Sequence, residues 1–178
     1  MTLLVAATER ELCGFEGLVC GIGPVEAAAA VARALAQVRP NAVLHVGIAG
    51  GRGIVPPALV LGSEAIYEDL SGDLEATMGR MERVEPDARL LAVARGELVE
   101  ALVLPIGTTA WVGGGRVCQV EAMEGFAVLR AAQLAGVPAL ELRAISNDPE
   151  QRDRARWDLD GAFAALDVAV PRLLSALG

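Results

Sequence analysis

Four short stretches hold the side chains whose types and spacing could support chemistry. ATERE (7–11) places Glu11 just after an apolar run, and VGIAGG (46–51) ends another run in Ala49, Gly50 and Gly51. EAMEG (121–125) sets Met123 beside Glu124, and RAISN (143–147) closes a third run with Arg143, Ser146 and Asn147. Carboxylates, a guanidinium and an amide at strand ends are groups that stabilise developing charge and orient a nucleophile or leaving group. Each stretch also has a plain reading. Glu11 alone reads as a solvated loop acid, Gly50–Gly51 as a turn, and Glu124 as a complement to a helix N-terminus. Asn147 alone reads as a turn or cap residue before Asp148-Pro149. The glycine spacing is not the GxGxxG of dinucleotide sites.

The elements that must position these groups follow from the apolar pattern. LLVAA (3–7), GLVCGIG (17–23) and AVLHVGIAGG (42–51) read as strands, with a helix over 25–38 whose stripe is Val31, Leu35 and Val38. Residues 58–70 read as strand, turn and strand, 71–100 as short helical pieces, and 101–115 as a strand and Gly-rich loop. Residues 121–136 read as one helix closed by Gly136, 138–147 as a strand, and 157–177 as a terminal helix kinked or broken at Pro171. Near-continuous apolar strands alternating with helices predict an α/β fold: a central mixed, twisted sheet flanked by helices in one domain over 1–178.

Composition bounds the function classes. A chain of 178 residues with 53% hydrophobic content suits one domain with a sizeable core. No apolar run reaches the roughly 20 residues of a spanning helix, so no membrane is expected. The N-terminus lacks a basic region before its first apolar run, so the expectation is a cytoplasmic protein without a signal peptide. The formal charge of −8, with all 15 basic residues arginine, argues against a duplex nucleic-acid partner. Cys13, Cys20 and Cys118 show no metal spacing and are expected to be buried and reduced, and neither metal nor cofactor is expected. His45, inside a strand, reads as a core or supporting residue.

Taken in order, ATERE, GIGPVEAA, VGIAGG, VEAMEG and RAISN resemble the purine nucleoside phosphorylase and nucleosidase superfamily. The resemblance covers most of 3–67 and 101–177. It is most specific in VEAMEG together with RAISN and the acid- and arginine-rich segment after it, and within the superfamily the chain looks most like the futalosine hydrolases. The resemblance implies roles. Glu11 helps activate the attacking water, Arg143 helps hold it, and Met123 and Glu124 meet the ribose, beside Ala49, Gly50 and Ser146. Asn147 stands where adenine-specific nucleosidases carry an aspartate. An amide can donate to a 6-oxo group and accept from a protonated N7, which suits hypoxanthine as the leaving base. Ile48 occupies a position where phosphorylases commonly carry Ser or Thr, so water is the expected nucleophile. The implied reaction is release of hypoxanthine from futalosine, a step of menaquinone biosynthesis. The alternatives are an enzyme acting on inosine or methylthioadenosine, or a non-catalytic nucleoside-binding homologue. Trp111 either stacks on an aromatic group or belongs to the core. Arg152, Arg154 and Arg156 either form a solvated face or meet a substrate carboxylate. The chain is short for the family between 71 and 120, and its apolar surface predicts a homodimer or larger oligomer.

Overall fold

The computed structural model describes residues 1–70 and 82–178. Among these residues eight strands form one mixed sheet: β1 (Thr2–Ala6), β2 (Leu18–Val19), β3 (Ala42–Gly51), β4 (Leu59–Tyr67), β5 (Arg83–Val84), β6 (Leu102–Thr108), β7 (Val120–Ala122) and β8 (Ala139–Asn147). The helices are α1 (Pro24–Gln37), α2 (Ala88–Glu97), α3 (Gly125–Ala135) and α4 (Leu159–Leu177). β3 pairs with β1, β7 and β8, while β4 pairs with β5, β6 and β8. Since β6 also pairs with β7, the strands β3, β8, β4, β6 and β7 close into a ring. The expected α/β class and flanked mixed sheet are what the structure has.

Three apolar clusters follow from this. One face of the sheet packs Leu4, Leu44 and Leu142 against Leu90 and Ala94 of α2 and Leu166 and Leu173 of α4. The other face packs Val5 and Val43 against Val31 and Leu35 of α1 and Val128 and Leu129 of α3. Ala49, Val60, Ile106, Val120 and Ile145 fill the ring. With helices on both sides, all nine residues of β8 are buried, polar ones included. That is why a Glu, an Arg, a Ser and an Asn can lie inside the molecule on one strand.

Several expectations are corrected. The helix expected over 121–136 is a short strand followed by α3, because Val120–Ala122 pair with both β3 and β6. Met123 and Glu124 therefore precede α3, with Glu124 as its N-cap residue, rather than lying in its first turns. Residues 58–70 are not two strands. β4 is continuous, and a register shift between Gly62 and Ala65 absorbs the expected turn. α4 continues through Pro171 without a break. Val38 is no part of the α1 stripe: it is the C-cap residue, extended and exposed. Within 71–100, the expected helical pieces reduce to α2 where described, and 71–81 lie outside the described residues.

Candidate active site

β1, β3 and β8 run parallel, so their C-terminal ends gather on one side of the sheet, where open α/β folds collect ligands. A cleft of about 890 Å³ opens there, lined among others by Glu11, Ile48, Ala49, Gly50, Trp111, Met123, Glu124, Ser146 and Asn147. Eight of the nine site residues expected from sequence thus share one cavity, although Glu11 and Asn147 lie far apart in the chain. The ninth, Arg143, is 1% exposed and sits beneath the floor rather than on the wall.

Glu11 is no solvated loop acid. It is buried in the short turn after β1, and its Oε2 accepts from the Thr8 amide at 3.0 Å and the Thr8 hydroxyl at 2.7 Å. Its Oε1 accepts from the Ile48 amide at 3.0 Å. The T-x-x-E spacing in ATERE is a capping box, a signal readable in the sequence but missed there. Close approach at Gly47 completes the arrangement. A Cβ there would stand 2.3 Å from Arg143 Nη1 and 2.7 Å from Glu11 Oε1, so only glycine leaves the two side chains room.

Arg143 organises the floor. Its Nε donates to Glu141 Oε1 at 2.8 Å, and its Nη2 approaches His45 Nε2 at 2.5 Å and Glu124 Oε2 at 3.4 Å. Burial and the adjacent guanidinium hold the His45 pKa well below its ordinary value. The neutral ring then donates from Nδ1 to the Val5 carbonyl at 3.1 Å and accepts from Arg143 at Nε2. His45 is a supporting residue in the core, as expected. Glu124 also accepts from the Gly23 amide at 3.0 Å, and burial pushes its carboxyl up while Arg143 pulls it down. Glu141, fully buried, was missed from sequence. The signal was there: two charged residues spaced by two in an apolar strand point to the same face.

Asn147 and Ser146 terminate β8. Ser146 donates to Asn147 Oδ1 at 2.8 Å, and Asn147 Nδ2 donates to the Asp148 carbonyl at 2.9 Å. The amide therefore keeps one N–H and one oxygen lone pair for the cleft. At the mouth, Trp111 is 56% exposed, so the core alternative for it is excluded. Two carboxylates pin its loop. Glu121 accepts from the Gly113 and Gly115 amides and from Arg52, and Glu68 accepts from the amides of Arg116, Val117 and Cys118. Arg152 and Arg154 line the cleft beside Trp157 and Phe163. Arg154 lies 5.2 Å over the Trp157 ring, whereas Arg156 is turned to Asp153 at 3.7 Å and is not part of the lining.

Among the described residues no group of three His, Cys, Asp or Glu could hold a metal ion. All three cysteines are free, with Cys20 and Cys118 buried and Cys13 only half-buried, and burial pushes each thiol up to about 12. The cleft presents the carboxylates of Glu11 and Glu124 and the amide of Asn147, with the Arg143 guanidinium beneath it and Arg152 and Arg154 in its lining.

Comparison with known proteins gives the family and the fold. Residues 18–175 match the family model of the phosphorylase superfamily. The chain is 35% identical to a futalosine hydrolase of Streptomyces coelicolor, over 92% of this chain and 80% of that protein. It is 32% identical to a futalosine hydrolase of Thermus thermophilus, over 93% of this chain and 83% of that one. In fold it matches a Streptococcus pyogenes S-adenosylhomocysteine nucleosidase solved with 5-methylthiotubericidin (TM-score 0.85, 18% identity, 99% and 97% of the chains covered). A futalosine hydrolase mutant of Helicobacter pylori is as similar in fold (TM-score 0.83, 16% identity, 98% of each chain covered). The chain belongs to the phosphorylase superfamily and, within it, to the family of the futalosine hydrolases.

Proposed function

We propose that the protein is a nucleosidase that hydrolyses the N-glycosidic bond of futalosine and releases hypoxanthine, in menaquinone biosynthesis. The observation that carries the reading is the convergence of Glu11, Glu124 and Asn147 on one cleft of nucleoside size. Bond cleavage leaves positive charge on the ribose, and two carboxylates at the cleft centre stabilise it. Glu124 accepts from the ribose hydroxyls, while Glu11 takes a proton from the water that bonds to C1′ as the base leaves. Asn147 faces the base edge, its free N–H to O6 and its free lone pair to N7, which takes its proton from solvent as the base leaves. Met123 packs on the sugar.

The experiment that tests the reading is turnover of futalosine, aminodeoxyfutalosine, methylthioadenosine and inosine, with and without phosphate. Glu11→Gln should lower kcat by about 10²–10⁴-fold, the usual range for losing a general base. The two amides and one hydroxyl that Glu11 accepts from leave no place for an NH2 group. The variant should therefore also lose about 1–3 kcal/mol of stability, measured by denaturant titration, because donor would face donor. Near-wild-type turnover by the folded variant would remove Glu11 from the mechanism.

Asn147→Asp should lower the kcat/KM ratio of futalosine over aminodeoxyfutalosine about ten- to a hundredfold. The carboxylate loses the donor to O6, and an unpaired polar group costs about 1–3 kcal/mol. An unchanged ratio would mean that Asn147 does not read the base. Futalosine carries an aromatic carboxylate on its 5′ side, and the aromatic mouth with Arg152 and Arg154 suits it. Arg152→Ala with Arg154→Ala should raise KM for futalosine about tenfold or more and leave inosine turnover unchanged, since a charged hydrogen bond contributes about 1.5–3 kcal/mol. Equal effects on both substrates would point to a solvated face instead.

We also propose that the enzyme works in the cytoplasm as a symmetric dimer or larger oligomer. Ile22, Trp111 and Val112 are 62%, 56% and 49% exposed around the cleft mouth, and association would cover them. Sedimentation velocity should give a species of at least twice the chain mass at micromolar concentration, and a lone monomer would refute the assembly.

A further inference from the structure

Behind the cleft lies a carboxylate that the reaction above does not use. Glu141 is fully buried on β8, two residues before Arg143 and on the same strand face. Its Oε1 accepts from Arg143 Nε at 2.8 Å, and its Oε2 has no hydrogen-bond partner among the described residues. Glycine makes room for it: a Cβ on Gly125 would stand 2.3 Å from both of its oxygens. A buried carboxylate oxygen without a donor is unfavourable, and packing alone would favour an apolar side chain of this size.

The hydrogen-bond lengths around Arg143 indicate what Glu141 does. The guanidinium is close to its rear partners, Glu141 at 2.8 Å and His45 at 2.5 Å, and far from its cleft-side partners, Glu124 and the Ile48 carbonyl, both at 3.4 Å. The cation leans away from the cleft. We propose that Glu141 is a positioning residue: it is the standing counter-charge of Arg143, holding the guanidinium back by Nε so that its pair with Glu124 stays long at 3.4 Å and Glu11 and Glu124 remain available to water and ribose. The proposal rests on the nucleosidase reading of the cleft.

Electrostatics agree with the geometry. Glu124 faces Arg143 and Glu141 from β8, Glu11 from the turn after β1, Cys20 after β2, and the Gly23 amide at the start of α1. His45 lies behind Arg143 on β3 and stays neutral, and the Cys20 thiol is pushed up to about 12. Glu121 on β7 is engaged with Arg52 and loop amides. Among the described residues the charged neighbours of Glu124 are thus Arg143 and the carboxylates of Glu11 and Glu141, the last pushed up by burial and pulled down by Arg143. Arg143 lowers the Glu124 pKa, whereas Glu11 and Glu141 raise it. Neutralising Glu141 leaves more of the Arg143 field on Glu124, whose carboxyl should then ionise at lower pH.

The test is the pH profile of kcat/KM for hypoxanthine release by wild type, Glu141→Gln and Glu141→Asp, with thermal melts of each. Glu141→Gln should lose at least tenfold in kcat and move the acid limb down by about one pH unit, the effect of losing a nearby like charge. Glu141→Asp keeps the charge but shortens the reach, so kcat should fall while the acid limb stays at the wild-type position. A folded Glu141→Gln with an unmoved limb overturns the proposal, because a merely structural role changes stability and not the limb. If Glu141→Gln does not fold, Glu141→Met, an apolar side chain of similar size, decides by the same readout: a lowered limb supports the proposal and an unmoved one overturns it. Wild type that releases no hypoxanthine would instead overturn the nucleosidase reading. The pH dependence of inosine binding then reads the same Glu124 shift without turnover.

Discussion

Arg143 is a guanidinium buried beneath the cleft floor, and the carboxylates of the site are arranged around its charge. Removing such a charge from water is unfavourable by several kcal/mol even after relaxation, so it persists only where partners satisfy it. Glu141, His45, Glu124 and the Ile48 carbonyl supply those partners from β8, β3 and the start of α3. A single interaction thus ties together elements that are distant in sequence. It also constrains the backbone. Gly47 and Gly125 lack the Cβ atoms that would strike the guanidinium and the Glu141 carboxylate.

The parallel register of β1, β3 and β8 sets the rest. With Ala6 opposite Val46 and Gly47 opposite Arg143, the turn after β1 brings Glu11 over the point where Arg143 rises between the strands. The capping box on Thr8 then fixes the carboxylate within a single 3-10 turn, Glu9–Leu12. A second pair of acids, Glu68 and Glu121, does comparable work at the mouth. Each accepts successive backbone amides from 113–118, and so sets where Trp111 stands.

Much of this was legible in the sequence, for identifiable reasons. Apolar runs such as 42–51 and 138–147 announce strands buried on both faces, and Ala-rich 24–37 announces a helix, so class and order could be read. The site residues could be grouped because ATERE, VGIAGG, EAMEG and RAISN each end or begin an element. What failed was local. Val120–Ala122 has good helix formers on its C-terminal side, and only pairing to two other strands makes it β. Pro171 should interrupt a helix, yet α4 is held on both sides of it by Ala169, Val170 and Leu173 in the core. Periodicity places Arg143 and Glu141 on one face, but it cannot say that this face lies under the floor. That depends on the ring closed by β8 between β3 and β4.

The same geometry bears on whether the nucleophile is water or phosphate. Ile48 offers the cleft an apolar side chain, and its amide, a natural anion donor at a strand end, is already given to Glu11 at 3.0 Å. Arg143, the cation nearest the reacting centre, is 1% exposed and its shortest hydrogen bonds point away from the cleft. Glu11 and Glu124 border the place where a phosphate would have to sit, and two carboxylates repel a dianion. The arginines in the lining, Arg152 and Arg154, are held at the other end by the segment that carries Trp157. An inorganic phosphate entering this cleft would meet repulsion where it must react and attraction only at the mouth. A neutral water meets a base at Glu11 and no repulsion, so the charge layout favours hydrolysis.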